Sequence, residues 1–193
     1  MEEMKHTIVA LVLDKPGVLN RITSMIRRRG FNISSLAVGA SEAPSLSRMS
    51  FVVEGGEETV KQVTKQLQKI IDVVKVADIS KENVVARELA LIKVTTTPAT
   101  RSEIVQLVDI FRAGIIDVGS ESLIIEVTGD EEKINSLARL LEPFGVKELM
   151  RTGRLAMVRG SSTVKIDDDQ LGAPAPRTAS NGAPSSDSPP PGW

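Results

Sequence analysis

The chain has 193 residues, a formal net charge of −1 and no cysteine. A balanced charge gives no electrostatic bias toward nucleic acid or anionic lipid, and the lack of cysteine excludes disulfides, thiolate metal sites and cysteine nucleophiles. No apolar run approaches the roughly 20 residues of a membrane-spanning helix, and residues 1–5 do not read as a signal peptide. We therefore expect a cytoplasmic protein with neither a membrane nor a nucleic-acid partner.

The first half of the chain predicts a βαββαβ order. In sequence, the predicted elements are a strand over 6–13, a helix over 17–29, strands over 32–40 and 47–54, a helix over 57–71 and a strand over 73–79. Apolar residues recur at the helical period in the second helix and at the strand period around Phe51. This order is that of a ferredoxin-like domain, here over residues 5–79, with two helices on one face of an antiparallel sheet. The other face of the sheet is expected to be free to pair.

The second half repeats this order more weakly. Residues 80–88 are polar and predict an interdomain linker. A strand over 89–95, a helix over 101–112, strands over 115–118 and 123–128, a helix over 131–141 and a strand over 146–150 then follow. The prediction is an α+β chain of two ferredoxin-like domains, the second over residues 89–160. Residues 161–193, rich in Ser, Pro, Ala, Gly and Asp, predict a disordered tail.

The junction between the first predicted strand and helix is the most informative segment. Asp14-Lys15-Pro16-Gly17 breaks the strand, and the helix begins at or next to Gly17. A helix N-terminus offers unpaired N–H groups that suit a carboxylate, and a glycine lets a ligand approach closely. Asp14 could receive an ammonium group, and Asn32 could add a hydrogen bond. Taken singly, these residues favour a structural role, because they are also common in helix caps and turns.

In combination, the motifs resemble a known family. The run from Asp14 to Leu19, followed by Gly30-Phe31-Asn32-Ile33, resembles the opening of an ACT domain, a small regulatory module that binds amino acids. Later runs are similar to the small, regulatory subunit of acetolactate synthase, and the resemblance covers roughly residues 1–160. These runs are Asn32–Val38, Ser47–Met49, Gln66–Val73, Arg87–Val94, Ile110–Val118 and Arg151–Arg154.

The resemblance implies a regulatory role beside a catalytic large subunit. This chain would carry no cofactor, whereas the large subunit would hold thiamine diphosphate, magnesium and FAD and condense two pyruvates, or pyruvate with 2-oxobutyrate. The small subunit would activate that enzyme and confer feedback inhibition by a branched-chain amino acid, most often valine. ACT domains of the family pair as homodimers with abutting sheets and effectors at the seam. The implied effector residues are Asp14, Gly17, Val18, Leu19, Asn32, Ile33 and Val38.

Other functions find little support in the residues. His6 is the only histidine, and neither metal-ligand spacing nor a glycine-rich nucleotide motif is present, so an enzyme acting alone is not expected. RNA-binding sheets need exposed aromatics, and only Phe51 is expected in a central strand. A free-standing amino-acid-sensing ACT protein with another partner stays open. Arg48, which follows a polar loop over 40–46, is the residue that we expect to contact the large subunit.

Overall fold

The computed structural model describes residues 4–160, which form two βαββαβ units. The first unit contains β1 (Lys5–Leu13), α1 (Val18–Arg29), β2 (Asn32–Ala40), β3 (Leu46–Glu54), α2 (Glu57–Leu67) and β4 (Val73–Asp78). The second contains β5 (Val84–Thr95), α3 (Arg101–Ile110), β6 (Gly114–Val118), β7 (Ser122–Gly129), α4 (Glu131–Leu141), a 3-10 turn (Glu142–Phe144) and β8 (Val146–Arg151). A last strand, β9 (Leu155–Val158), follows. The prediction of two ferredoxin-like domains is confirmed, whereas the predicted tail lies outside the described residues.

Each unit has an antiparallel sheet with its helices packed on one face. The strand orders are β2-β3-β1-β4 and β6-β7-β5-β8, so β2 lies at one edge of the first sheet. Ile8, Phe51 and Val63 are fully buried in the first core, and Ile92 and Leu137 in the second. No helix of residues 4–160 is both long and apolar enough to cross a membrane.

The local sequence explains the bounds of α1. Its apolar side chains Val18, Ile22, Met25 and Ile26 are buried on one face. Three arginines in the last turn complement the negative end of the helix dipole. Gly30 then ends the helix in a left-handed conformation with φ 67°, and its N–H donates to the last carbonyls.

The second helix is shorter than predicted, ending at Leu67 rather than residue 71. The cause is Asp72, which is buried and whose backbone oxygen accepts from the N–H of Leu13 at 2.8 Å. Its carboxylate pairs with the guanidinium of Arg21, which offsets the cost of burying the charge. The helix must end early for the chain to bring Asp72 to Leu13 and Arg21. As a consequence, Ile71 is 88% exposed.

Part of the predicted linker is strand. β5 begins at Val84 rather than at residue 89, and its first four residues pair with β9, which is not among the predicted strands. Ala156 of β9 packs on Val9 and Ile79 of the first unit, forming a small core between the domains. The outer face of the first sheet is therefore covered by the same chain around Val9, which is 2% exposed, and the expectation of a free face is wrong there.

One strand contributes to both cores. Alternate residues of a strand lie on the same face, so the even-numbered side chains of β5 form a single row. Val84 and Ala86 contribute to the core between the domains, and Ile92 belongs to the core of the second domain. Between them lies Glu88, which is 5% exposed and paired with Arg151.

A surface ion pair also joins the two units. The Nζ of Lys5 donates to the Oε1 of Glu131 at 2.7 Å, with about 40% of each side chain exposed. The hydrogen bond from Lys5 lowers the pKa of the Glu131 carboxyl below its ordinary value of 4.5.

Replacing Lys5 with Gln should lower the stability only modestly near neutral pH, because exposed pairs are screened by water. A depressed carboxyl pKa contributes stability that is present above the unfolded pKa and is lost as the pH falls through the folded pKa. The difference in urea midpoint between the wild type and Lys5→Gln should thus shrink well below pH 4.5. A difference that persists unchanged in acid would contradict this assignment.

Candidate functional site

The turn between β1 and α1 presents an unpaired carboxylate. Asp14 is exposed just beyond β1, and within residues 4–160 its side chain has no hydrogen-bond or ion-pair partner. Gly17 precedes α1 with φ 88°, and no side chain of the described residues caps the helix. Asp14 therefore does not act as the helix cap, which was the structural role considered for it.

The first turn of α1 also has free backbone donors. The N–H of Arg21 donates to the carbonyl of Gly17 at 3.0 Å, which is the first helical hydrogen bond. The N–H groups of Gly17, Leu19 and Asn20 have no acceptor in the described part of the chain. A Cβ built on Gly17 would meet no atom of residues 4–160 within 4 Å, so this part of the chain leaves the approach to these donors open. Donors of this kind at a positive helix end can bind a carboxylate.

The two apolar residues after Gly17 have different surroundings. Val18 is 4% exposed and belongs to the first core, so its side chain holds the turn against that core. Leu19 is 46% exposed and is available to an aliphatic ligand side chain.

Asn32 and Ile33 lie at the opposite end of the sheet from this turn. Leu13 pairs with Leu46 beside the turn, whereas Lys5 and Asn32 both pair with Glu54 at the far end. The nine residues of β1 between these points span about 27 Å. One chain therefore does not bring Asn32 to the Gly17 turn. The Asn32 amide also already donates to the carboxylate of Glu54.

Strand β2 has an open edge with apolar side chains. It pairs only with β3 among the described strands. Val38 is 48% exposed near the turn end of β2, and Leu36 is 36% exposed at its middle. An open groove of about 470 Å³ runs between α1 and β2, lined in part by Phe31 and Ile33. A second chain added to this edge would cover the groove.

The predicted partner residue, Arg48, is already paired. Its Nη2 donates to Oε1 of Glu42 at 2.7 Å, and 26% of its side chain is exposed. A backbone hydrogen bond, together with the Arg48 guanidinium, holds the pKa of Glu42 below its ordinary value. Any partner that uses Arg48 therefore meets an ion pair rather than a lone cation.

His6 is buried, and neither of its ring nitrogens has a hydrogen-bond partner among the described residues. Its Nδ1 lies 4.0 Å from Oδ2 of Asp78. Across residues 4–160, no three side chains of the metal-ligating types come together in a way that could hold an ion.

Comparisons with known proteins cover both domains. Residues 8–75 match the model of the ACT domain of acetohydroxyacid synthase small subunits, and residues 87–160 match the model of the small subunit of acetolactate synthase. The chain belongs to the acetolactate synthase small-subunit family. The resemblance drawn from its motifs is therefore confirmed.

Relatives align over nearly their whole length. The chain is 56% identical over 158 residues to the probable acetolactate synthase small subunit of Archaeoglobus fulgidus, covering 82% of this chain and 99% of that protein. It is 48% identical over 159 residues to the acetolactate synthase small subunit of Bacillus subtilis, covering 82% and 92%. The crystal structure of the small subunit from Thermotoga maritima matches with a TM-score of 0.77 and 44% identity, covering 82% and 99%.

Two features of the candidate site are not among the predicted site residues. Leu36 shares the exposed edge with Val38. Ser35 follows a bulge in β2, where the pairing register with β3 shifts between Ile33 and Ser35. The run Ile33-Ser34-Ser35-Leu36 could have indicated both the bulge and the exposed position of Leu36. Its two apolar residues are three positions apart, which breaks the two-residue period of a strand.

The turn generates a binding prediction. Gly17→Asp should weaken the binding of valine by about tenfold or more, because it places a negative charge where a carboxylate is expected. Calorimetric titration of the folded variant with valine measures the effect.

The matched control is Gly17→Asn. Asn and Asp have the same shape and tolerate a positive φ similarly, so the difference between the two variants reports the charge rather than backbone strain. Equal binding by both variants and the wild type would remove Gly17 from the site.

Proposed function

We propose that this chain is the regulatory subunit of an acetolactate synthase, acting by activating the thiamine-diphosphate-dependent large subunit and by making it sensitive to feedback inhibition. The inhibitor that we expect is a branched-chain amino acid, with valine first. The observation that carries the proposal is the pair of family matches, which cover residues 8–75 and 87–160. The open donors of the Gly17 turn support an amino-acid effector.

In this proposal the two subunits divide the labour. The large subunit would hold thiamine diphosphate, magnesium and FAD, and would form acetolactate from pyruvate in the synthesis of valine, leucine and isoleucine. The small subunit would supply the effector site and the contact that raises activity. We place the holoenzyme in the cytoplasm.

A second copy of the chain would complete the effector site. If β2 pairs antiparallel with β2 of a second copy, about a two-fold axis near Leu36, then Asn32 of that copy comes opposite Ala40. Asn32 and Ile33 of one chain thereby approach the turn end of the other, where Gly17 and Val38 lie. The homodimer thus accounts for predicted site residues that are split between the two ends of one sheet.

The chemistry of binding follows from this arrangement. The effector carboxylate would accept hydrogen bonds from the free N–H groups beside Gly17, and its ammonium group would face Asp14. Its aliphatic side chain would lie against Leu19 and Val38, which are both about half exposed. A ligand that touches two chains shifts the equilibrium between their arrangements by its differential affinity for them, and this shift would change activity.

The division of labour is tested with purified subunits. Alone, this chain should form no acetolactate from pyruvate, even with thiamine diphosphate, magnesium and FAD present. Mixed with the large subunit of its own organism, it should raise the rate, and separate titrations with valine, leucine and isoleucine should identify the inhibitor.

Two outcomes would reject the proposal. Robust turnover by the chain alone would identify an enzyme. Valine binding without any effect on a large subunit would identify a free-standing sensor instead.

The partner contact yields a second prediction. Arg48→Glu should impair activation, because it reverses a charge on the surface that we assign to the large subunit. Glu42→Ala is the matched control, since it breaks the same ion pair and leaves the cation in place. Activation assays with increasing small subunit give the half-maximal concentration for each variant.

Truncation after Gly160 should preserve both activation and inhibition, because residues 161–193 contain too few apolar side chains to offset the entropy of docking. If truncation abolished activation while Arg48→Glu activated as well as the wild type, the surface around Arg48 would not be the partner surface and residues 161–193 would be implicated instead.

A further inference from the structure

A further contact between the domains, besides the small core around Ala156 and the Lys5–Glu131 ion pair, holds strand β2 itself. It is made by the segment from Arg151 to Arg154, which connects β8 to β9. On the side of the second domain, Arg151 donates to Oε2 of Glu88 through Nε at 3.0 Å, and also through Nη2. The N–H of Thr152 donates to the carbonyl of Leu89 at 3.0 Å. The segment is therefore fixed firmly to β5.

On the side of the first domain, the same segment contacts the middle of β2. The N–H of Arg154 donates to Oγ of Ser35 at 2.7 Å. Gly153 has φ 83°, and a Cβ there would lie 2.9 Å from Oγ of Ser35 and 3.0 Å from the carbonyl oxygen of Leu36. Both its backbone conformation and this close approach require glycine.

The position of Ser35 gives this contact its importance. Ser35 lies directly after the bulge in an edge strand, so the ladder with β3 is interrupted beside it. A bulged edge strand is held by fewer backbone hydrogen bonds than a central strand, and other contacts must set its position. Asn32 and Ile33, two of the predicted effector residues, are within three positions of Ser35 along the same strand.

We propose that Ser35, Gly153 and Arg154 form a positioning contact through which the second domain sets the shape of the effector site and responds to its occupancy. The inference rests on the proposed function and names a regulatory connection of the same site. Coupling between two regions is reciprocal, so a contact that places β2 for the effector must itself be strengthened when the effector binds.

Ser35→Ala removes the hydrogen-bond acceptor and should raise the half-inhibitory valine concentration of the holoenzyme by about three- to tenfold. Inhibition is expressed relative to the uninhibited rate of each variant at saturating small subunit, so that a change in activation is recorded separately. Ser35→Thr keeps the hydroxyl and should restore most of the sensitivity. Gly153→Ala disturbs the contact from the other side and should shift inhibition in the same direction.

Lys81→Gln is the matched control, because it breaks the ion pair with Glu57 that ties the segment before β5 to the first domain. Neither of these two residues lines the pocket beside Ser35. A valine sensitivity close to that of the wild type is expected for it. A shift equal to that of Ser35→Ala would attribute the effect to general loosening of the domains and would overturn the proposal.

Hydrogen exchange supplies a readout that a purely structural role would not change. Valine should slow exchange in the peptide spanning Gly153 to Val158 in the wild type, and should leave it unchanged in Ser35→Ala. If valine, leucine and isoleucine neither bind to nor inhibit the wild-type holoenzyme, the proposed function is wrong. If the wild type is inhibited and Ser35→Ala matches it in inhibition and exchange, the function stands and this positioning contact is wrong.

Discussion

The burial of Val9 and Ile79 against Ala156 is the contact on which the rest of the molecule depends. A ferredoxin-like sheet normally has one face for its helices and one for something else. Here a short strand from the far end of the chain covers part of that second face. This packing holds the domains together and brings Arg154 to Ser35. It leaves the edge of the first sheet at β2 open, and β2 is the edge strand that carries predicted effector residues.

Strand direction decides how the effector site can be assembled. β1 reaches the Gly17 turn at one end of the sheet, and α1 carries the chain back before Asn32 begins β2 at the other end. A ligand as small as an amino acid does not bridge about 27 Å, so the two sets of residues cannot serve one ligand within a single chain. If these residues serve one effector, as proposed above, they must come from two copies of the chain.

Elements with strong local signals were predictable from the sequence. The bounds of β2 and α4 agree with the prediction, and Asp130 caps α4 by accepting from the N–H of Lys133. A helix cap and a periodic pattern of apolar residues each involve only residues that are close in sequence. They can therefore be recognised without knowledge of the fold.

The elements that differ depend on distant partners. The end of α2 is set by Asp72, which meets Leu13 and Arg21 from elsewhere in the chain. β9 has only four residues and exists because Val84–Arg87 pairs with it, about seventy positions earlier. The candidate turn could be recognised in the sequence as a motif. Its separation from Asn32 could be recognised only from the register of the strands in the structure.

The shared row of side chains along β5 also constrains how the family can change. One residue inserted between Arg87 and Leu89 would exchange the two faces of the strand beyond it, so Ala90 and Ile92 would leave their core while Val84 and Ala86 kept theirs. A single-residue insertion or deletion in the middle of this strand is therefore expected to destabilise the second domain. For the same reason, chimaeras that exchange domains between relatives should be joined in the turn over residues 80–83, before β5 begins.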